Sequence, residues 1–267
     1  MDTAAPRPLP SPVVLITGGA QRMGREIALD LAAQRWQVAV HYRESGAAAK
    51  RTVADLTALG VRAQAFAADL ADEAAAQALV PRVVAAFGRL DAVVNNASLF
   101  AYDDVASFSY AALESHLRAN TAPAIVLARA LHAHASARQG QGVVVNLLDQ
   151  KLWNPNPDYL SYNLSKAALQ AANTLLAQAL APVLRVCGVA PGVTLSSGAM
   201  SAAEFEQAHR MTPLQRSSTP QDIARAVRFL LESPAITGTT LLVDGGQHLQ
   251  AQGRDVMFTA REPGATN

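Results

Sequence analysis

Seven short apolar runs, separated by longer helical stretches, constrain the fold of this chain more than any other feature. The runs cover residues 12–18, 36–42, 62–67, 90–95, 142–148, 184–189 and 239–243. Most are apolar at consecutive positions instead of alternating positions, which is typical of strands buried on both faces. Such strands belong to parallel sheets whose two faces are covered by helices.

The segments between these runs are rich in Ala, Leu, Arg and Gln and are therefore predicted to be helices. They cover residues 22–34, 46–59, 72–87, 113–137, 159–180 and 220–232. Gly60 and Gly88 stand where helix C-caps are expected, Thr219 and Asp222 mark a helix start, and Pro81 is expected to kink or restart its helix. The alternation predicts an α/β fold, a single-domain Rossmann-type doubly wound parallel sheet of about seven strands flanked by helices.

The length of 267 residues suits one such domain, and no internal repeat or linker divides it. We expect a flexible N-terminal tail over residues 1–11, the domain over 12–249 and a loose C-terminal tail over 250–267. Within the domain, the long segment 193–213 follows the sixth strand and is the expected substrate loop. A capping-box pattern at Ser201 and Glu204 predicts a short helix inside that loop.

Composition excludes several classes of protein. The net charge of +1 gives no electrostatic reason to expect nucleic acid or an anionic membrane as a partner. No stretch approaches the ~20 apolar residues of a membrane helix, and the proline-broken N-terminus is not a signal peptide. The single cysteine, Cys187, allows no intrachain disulfide and has no metal-site spacing, so we expect it to be buried, no metal, and a cytoplasmic location.

A glycine-containing turn follows the first run directly and opens the first predicted helix. It has the spacing Thr17-Gly18-x3-Arg22-x-Gly24 and lacks the pattern G-x-G-x-x-G. Glycine lets the backbone turn sharply and approach a ligand, and a helix N-terminus offers free N–H groups to an anion. The turn therefore predicts a site for a dinucleotide pyrophosphate that is formed by Gly18, Arg22, Met23 and Gly24.

The end of the second run predicts which dinucleotide binds. An NAD enzyme usually has an acidic residue here to hold the ribose 2′-hydroxyl, whereas a cation suits a 2′-phosphate. This chain has His41, Arg43 and Ser45 in that region. We therefore expect NADP(H), with Arg43 and Ser45 as binders and His41 in support. Glu44 keeps NAD open as the alternative.

Tyr162 and Lys166 form the most informative pair in the sequence. Four residues apart on a helix, they lie on one face and next to one cofactor. Hydride reduction leaves an oxygen or nitrogen that needs a proton, and Tyr162 is the expected donor. A phenol with a pKa near 10 is a weak acid at neutral pH, so we expect Lys166 and the nicotinamide charge to lower its pKa. Tyr159 lacks a lysine four residues later.

Taken in order, the glycine turn, Asn95-Asn96-Ala97 after the fourth run and Tyr162-x3-Lys166 resemble the short-chain dehydrogenase/reductase family. The resemblance covers nearly the whole chain, and Arg22 stands where the family pattern has its middle glycine. It implies an oxidoreductase in which Asn120 holds a water that relays protons to the lysine. Its cofactor contacts fall on positions after strand ends, namely Asp69, Leu70, Asn96, Ala97, Ser98, Pro191 and Gly192.

One departure from the family pattern points to the substrate. Most members place a serine thirteen residues before the tyrosine, where this chain has Asp149. An ionised aspartate cannot donate a hydrogen bond to a ketone, but a protonated one can, and burial raises a carboxyl pKa while Lys166 opposes that. Asp149 here resembles pteridine reductases, as do Arg22, Ser98 and Phe100, which in that branch contact the pterin.

The leading hypothesis is therefore a pteridine reductase that acts on dihydropterin or dihydrofolate-like substrates. A ketone or aldehyde reductase of the same family and a non-catalytic NADP-binding regulator are the alternatives. The resemblance also implies a homotetramer in which the C-terminus of a neighbouring subunit approaches the active site. We expect the tail, which includes Arg254, to make that contact.

Overall fold

A computed structural model describes residues 11–196 and 200–260 of the chain. The expected N-terminal tail thus lies outside the described residues except for Ser11, as do residues 197–199 of the expected substrate loop and 261–267 of the expected C-terminal tail. Within residues 11–196 and 200–260, no helix combines the length and the apolar character needed to cross a bilayer.

Seven strands form one sheet in which every neighbouring pair is parallel. They are β1 (Val13–Ile16), β2 (Gln37–Tyr42), β3 (Ala63–Ala67), β4 (Ala92–Asn95), β5 (Gly142–Leu147), β6 (Leu184–Pro191) and β7 (Thr240–Val243). Their spatial order is β3-β2-β1-β4-β5-β6-β7. The predicted single-domain, doubly wound α/β fold is confirmed.

Helices connect the strands and cover both faces of the sheet. They are α1 (Arg22–Ala33), α2 (Gly46–Ala58), α3 (Glu73–Phe87), α4 (Tyr110–Asn120), α5 (Ala122–Ala137), α6 (Leu160–Ala179), α7 (Ala202–Arg210), α8 (Pro220–Glu232) and α9 (Val256–Thr259). Short 3₁₀ turns occupy Gln150–Leu152 and Gln247–Leu249.

The consecutive apolar residues of the strands supply two cores, one on each face of the sheet. Val14 and Ile16 of β1 pack on one face with α1 and α8, where Leu31 is fully buried. Val13 and Leu15 pack on the other face with α3 and α5. Burial on both faces is why these strands read as continuous apolar runs.

Helix boundaries confirm some predictions and correct others. Gly88 ends α3 in the left-handed conformation at φ 82°, and Thr219 begins α8 with a capping box. The predicted helix 113–137 is wrong, because α4 and α5 are separated at Thr121 and Pro123 lies in the first turn of the second helix, where a missing N–H costs nothing. Pro81 does not restart α3, because one helix continues through it from Glu73 to Phe87.

The segment after the seventh strand also differs from the expectation of a loose tail. Residues 251–260 fold back onto their own chain and include the short helix α9. Val256 and Ala260 are buried against α7. The described part of this tail thus has contacts within its own chain, and its expected contact with a neighbouring subunit stays a prediction.

Candidate active site

Two adjoining cavities open at the carboxyl ends of the strands, where the strand order reverses between β1 and β4. This crevice is the place where open α/β sheets bind their ligands. The first cavity, of about 450 Å³, follows the ends of β1, β2 and β3, and the second, of about 330 Å³, follows β5 and β6. Both are lined by Arg22, Met23, Asn96 and Ser98, so they form one continuous cleft.

The glycine turn at the base of the first cavity is tightly built. Gly18 has φ +62°, and a Cβ on Gly24 would overlap the Gly18 carbonyl oxygen and lie 2.7 Å from Asn96 Nδ2. Asn96 Nδ2 donates to the Thr17 carbonyl at 2.9 Å, and Thr17 Oγ1 accepts from the N–H of Ala97 at 3.0 Å. These hydrogen bonds hold the turn after β1 against the end of β4. Glycine is needed at position 18 because of its positive φ, and at position 24 because of its close contacts.

The N-terminus of α1 faces this turn without a side-chain cap. Gln21 occupies the N-cap position and makes no capping hydrogen bond. Arg22, at φ +53°, begins the helix, lines both cavities and donates from Nη2 to the Ser196 carbonyl at 2.8 Å. The free N–H groups of a helix start and an adjacent guanidinium are suited to binding an anion.

His41 has a different role from the one expected. Its Nδ1 accepts from the Gly18 N–H at 3.1 Å, so its Nε2 carries the proton and donates to the Ala68 carbonyl at 3.0 Å. Burial lowers the pKa of this imidazole, and the bond to Ala68 only partly opposes that. His41 is thus a neutral side chain that fixes the Gly18 turn, and the expectation that it supports a 2′-phosphate is not met.

The remaining residues expected around the adenosine half lie together along the first cavity. Arg43 and Ser45 follow β2, and Asp69 and Leu70 follow β3. Arg43 is well exposed, and its ion pair among the described residues is with its neighbour Glu44, at 3.2 Å between Nε and Oε1. An exposed pair of this kind is weak, so the guanidinium is available to a phosphate.

Tyr162, Asp149 and Lys166 meet in the second cavity. Tyr162 lies in the first turn of α6, and its Oη donates to Asp149 Oδ2 at 2.8 Å. One turn later, Lys166 Nζ donates to the carbonyl oxygen of Leu147 at 2.7 Å, at the end of β5. The i, i+4 spacing therefore places both side chains at one cavity, as predicted.

Burial dominates the protonation of these groups. It raises the pKa of Asp149, against the opposing charge of Lys151, and it lowers the pKa of Lys166 to about 8. Burial and the Asp149 carboxylate raise the phenol pKa of Tyr162 well above its usual value. The expected lowering of that phenol pKa is therefore wrong for the protein alone, because an acceptor with negative charge lies next to the phenol.

Asn120 lies at the end of α4, is buried and does not line either cavity. Its Nδ2 donates to the Leu99 carbonyl and to Ser165 Oγ, and its Oδ1 accepts from the Leu99 N–H at 2.6 Å and from Ser98 Oγ. Both ends of the amide are thus engaged, so Asn120 positions the loop after β4 against α6. The side chain expected to hold a relay water thus has protein partners at both its oxygen and its nitrogen.

The other expected substrate and nicotinamide contacts surround the second cavity. Phe100 lines it, stacks on Tyr159 at 4.2 Å between ring centroids and meets the Tyr162 ring edge-on at 4.7 Å. Pro191 and Gly192 end β6 at the same cavity. A Cβ on Gly192 would lie 2.8 Å from Asp244 Cβ, which explains the glycine. The structure thus brings aromatic side chains to one side of Tyr162, the tyrosine that the sequence singled out.

Two charged residues of this cavity were not expected from the sequence. Lys151 and Asp255 both line it, are buried and form an ion pair. A lysine four residues after the end of the buried strand β5, and two residues after Asp149, was the available signal for the first. The second had no local signal, because its partner is far away in the sequence.

Comparison with known proteins finds relatives along most of this chain. A family model described as Enoyl-(Acyl carrier protein) reductase matches residues 18–248. Among curated proteins, the 3-oxoacyl-[acyl-carrier-protein] reductase FabG of Staphylococcus aureus is 32% identical over 88% of this chain and 97% of its own.

Among solved structures, the FolM alternative dihydrofolate reductase 1 of Brucella canis, complexed with NADP, is 36% identical with a TM-score of 0.84. The alignment covers 91% of this chain and 97% of that one. The corresponding protein of Brucella suis, also with NADP, is 36% identical with a TM-score of 0.83, over 92% and 98% of the two chains.

Proposed function

Because this chain belongs to the short-chain dehydrogenase/reductase family, we propose that it is an NADPH-dependent reductase of a pterin ring, acting on dihydropterin or dihydrofolate-like substrates. One observation carries the substrate class. A half-buried carboxyl, that of Asp149, accepts a hydrogen bond from the expected proton donor, Tyr162, at 2.8 Å. Family members that reduce ketones usually have a serine at this position.

The cleft fits a dinucleotide phosphate. The close approach of Gly18 and Gly24 and the uncapped start of α1 leave backbone N–H groups for the pyrophosphate, with Arg22 beside them. Arg43 and Ser45 lie where a 2′-phosphate would need a cation and a hydroxyl. When bound, NADPH supplies the hydride. The crystallised FolM relatives that contain NADP support the same cofactor here.

Proton delivery is the task of this chain's own residues. Reduction of a C=N bond adds a hydride to carbon and needs a proton on nitrogen. A raised pKa gives Asp149 a protonated form from which to donate, and an ionised form that pairs with ring N–H and amino groups. Tyr162 donates to this carboxyl, and Lys166, with a pKa of about 8, lines the same cavity and would resupply the proton.

The test is NADPH oxidation with dihydrobiopterin or dihydromonapterin, next to a panel of ketones and aldehydes. We expect the unsubstituted enzyme to reduce the pterins, and Asp149→Ser to lose about 10²–10⁴-fold in kcat, the usual contribution of a positioned acid or base. Tyr162→Phe should lose activity to a similar extent. Tyr110→Phe is the matched control, since Tyr110 is the most exposed tyrosine of the described chain and lies away from both cavities.

The carbonyl reductase remains the second candidate because the curated relatives include a 3-oxoacyl reductase. Carbonyl turnover without pterin turnover, or pterin turnover that is indifferent to Asp149→Ser, would overturn the pterin proposal and leave the reductase. The non-catalytic regulator is favoured only by NADPH binding without any turnover across the panel.

We also propose, on the family resemblance, that the protein is a homotetramer and that it is cytoplasmic. Analytical ultracentrifugation tests the first proposal, and cell fractionation tests the second.

A further inference from the structure

The C-terminal segment of this chain lies on its own substrate cavity. Residues 252–258 follow the turn Gln247–Leu249 and run past the mouth of the second cavity. Four of them, namely Gln252, Asp255, Val256 and Met257, line that cavity together with Asp149 and Tyr162. The segment is therefore part of the surface that a substrate meets.

A buried ion pair anchors the segment. Lys151 Nζ pairs with Asp255 Oδ2, and the two side chains are only 7% and 5% exposed. The other carboxylate oxygen of Asp255 accepts from the Met257 N–H at 2.9 Å and so caps α9. A buried charge that loses its partner is strongly unfavourable, so this pair fixes where the segment lies.

A second carboxylate holds the segment from the other side. Asp158 is buried and accepts from the Asp255 N–H at 2.7 Å and from Arg254 Nε at 2.9 Å. Together, Asp158 and Lys151 bind the backbone and the side chain of the same residue, Asp255. The segment thus has two charged anchors on the loop between β5 and α6, which also carries Asp149.

Aromatic contacts continue the attachment into the pocket wall. Tyr159 Oη donates to the sulfur of Met257 at 3.2 Å, and the Tyr159 ring stacks on Phe100. Tyr102 meets Phe258 edge-on, with 5.7 Å between ring centroids. Met257 therefore lies against the aromatic side of the cavity, close to the ring that faces Tyr162.

The anchor also reaches the catalytic carboxyl. The backbone N–H of Lys151 donates to Asp149 Oδ1 at 2.9 Å, while its side chain pairs with Asp255. Lys151 thus connects the position of the segment to the position of Asp149.

We propose that residues 252–258 form a wall of their own subunit's substrate cavity, that the Lys151–Asp255 pair is its positioning anchor, and that Met257 limits the size of the substrate. The proposal rests on the proposed reductase function for its readout. The family resemblance suggested that the tail of a neighbouring subunit reaches the substrate cavity, whereas this proposal gives that role to the tail of the same subunit.

A pair of truncations provides the main test. A chain that ends at Gln250 lacks the wall, whereas a chain that ends at Ala260 keeps it and is the matched control. We expect the shorter chain to show a substrate KM at least about 10-fold higher, with the dissociation constant of NADPH changed by less than about twofold, because the dinucleotide binds mainly in the first cavity. A KM within about twofold of the control would overturn the proposal.

Point variants keep the test valid if the shorter chain does not fold. Asp255→Asn retains the helix cap but leaves Lys151 without its counter-charge, so KM should rise as in the truncation. Adding Lys151→Met to Asp255→Asn removes both charges and should restore KM to within about threefold of the unsubstituted enzyme. If KM of the double variant stays high while its melting temperature is unchanged, the rise in KM is not caused by loss of the Lys151–Asp255 pair.

Met257→Ala addresses the size limit. It should lower KM for substrates with a bulkier ring substituent relative to the parent substrate, by about tenfold or more, and leave NADPH binding unchanged. An equal change in KM for large and small substrates would show that Met257 does not select by size.

Subunit mixing decides whose cavity the wall serves. Tyr162→Phe with an intact tail is mixed with the chain that ends at Gln250, under conditions that exchange subunits. If the wall serves its own subunit, the mixture keeps the high KM of the truncated chain. Recovery of the low KM would mean that the tail acts across an interface, which contradicts the proposal.

Failure of this inference and failure of the pterin proposal are distinguishable. The same truncations are assayed with carbonyl substrates, and hydrogen exchange at the Asp255 amide is followed without any substrate. We expect Asp158→Ala, which removes the acceptor, to speed that exchange at least about tenfold, since the amide donates to Asp158. If the enzyme is inactive on pterins but the truncation raises KM for a carbonyl substrate, only the pterin proposal is overturned. If the Asp255 amide exchanges as fast as an amide in an unfolded chain, the proposal that residues 252–258 form a wall is overturned.

Discussion

The ammonium of Lys166 donates to the carbonyl oxygen of Leu147 at 2.7 Å, and its nitrogen lies 5.7 Å from the centroid of the Tyr162 ring. The lysine is buried, which lowers its pKa to about 8, and the Asp149 carboxylate only partly opposes this. The phenol pKa of Tyr162 is raised well above its usual value. Between these two side chains, it is therefore the lysine that changes charge near neutral pH.

This relationship predicts the alkaline side of the pH profile. The ammonium is present below a pH of about 8 and is lost as the pH rises through that value, so kcat/KM should fall above about 8. Lys166→Met should lower kcat by about 10²–10⁴-fold and remove that descending limb. The measurement is kcat/KM from about pH 6 to about pH 10. Lys50→Met, at an exposed position of α2, is the control, and a limb that persists without Lys166 would refute the assignment.

Features that depend on neighbours in the sequence were predictable. Continuous apolar runs gave the parallel sheet because both faces of each strand are buried, and Thr219 with Asp222 gave the start of α8 because a capping box is local. The i, i+4 pair of Tyr162 and Lys166 needed only helical geometry.

Features that depend on distant partners were not predictable from one sequence. His41 is neutral because its two nitrogens meet the backbone of Gly18 and Ala68, which no local pattern shows. The position of residues 251–260 depends on Lys151 and Asp158, far earlier in the chain. The phenol pKa depended on which charge lies nearest, and that charge is the Asp149 carboxylate.

Gly24 packs closely against the turn after β1, so adding a single methyl group there should lower both stability and NADPH affinity. In Gly24→Ala, the new Cβ overlaps the Gly18 carbonyl oxygen, so the backbone must shift. We expect a loss of about 1–3 kcal/mol of stability, or roughly 2–12 °C in Tm for a domain of this size, and weaker NADPH binding. Thermal unfolding and fluorescence titration measure both.

Gly46→Ala is the matched control for this glycine. Its Cβ would meet only the Tyr42 ring at an ordinary 3.4 Å, and its φ is not in the left-handed region. It should leave Tm and NADPH affinity almost unchanged. If Gly24→Ala behaves like Gly46→Ala, the close approach of the turn to α1 is not needed for dinucleotide binding.

Arg43 should set the preference between the two dinucleotides. Its guanidinium is exposed and pairs with Glu44, so a 2′-phosphate can replace that weak contact. A charge-assisted hydrogen bond contributes about 1.5–3 kcal/mol, so Arg43→Ala should raise KM for NADPH by about 10–150-fold and change KM for NADH little. Arg51→Ala, on the exposed side of α2, is the control. Equal losses with both dinucleotides would show that Arg43 does not recognise the phosphate.

The lowered pKa of Asp222 predicts how the free energy of unfolding changes at acid pH. Burial acts to raise the pKa of its carboxyl, but hydrogen bonds from Thr219 and the charges of Arg216 and Arg225 outweigh it and lower the pKa from 3.8 to about 2. The folded state thus favours the carboxylate, so its stabilisation is complete above a pH of about 4 and is lost as the pH falls toward about 2.

Asp222→Asn should therefore be less stable near neutral pH and similar to the unsubstituted protein in acid. We expect a loss of about 1 kcal/mol at pH 7, the usual value of a helix cap, that shrinks as the pH falls from about 4 toward about 2. Urea unfolding across that range measures it. Glu114→Gln, which breaks an exposed i, i+4 pair with Arg118, should cost no more than about 0.5 kcal/mol. A difference for Asp222→Asn that stays constant down to the lowest pH would mean that its carboxylate charge does not stabilise the fold.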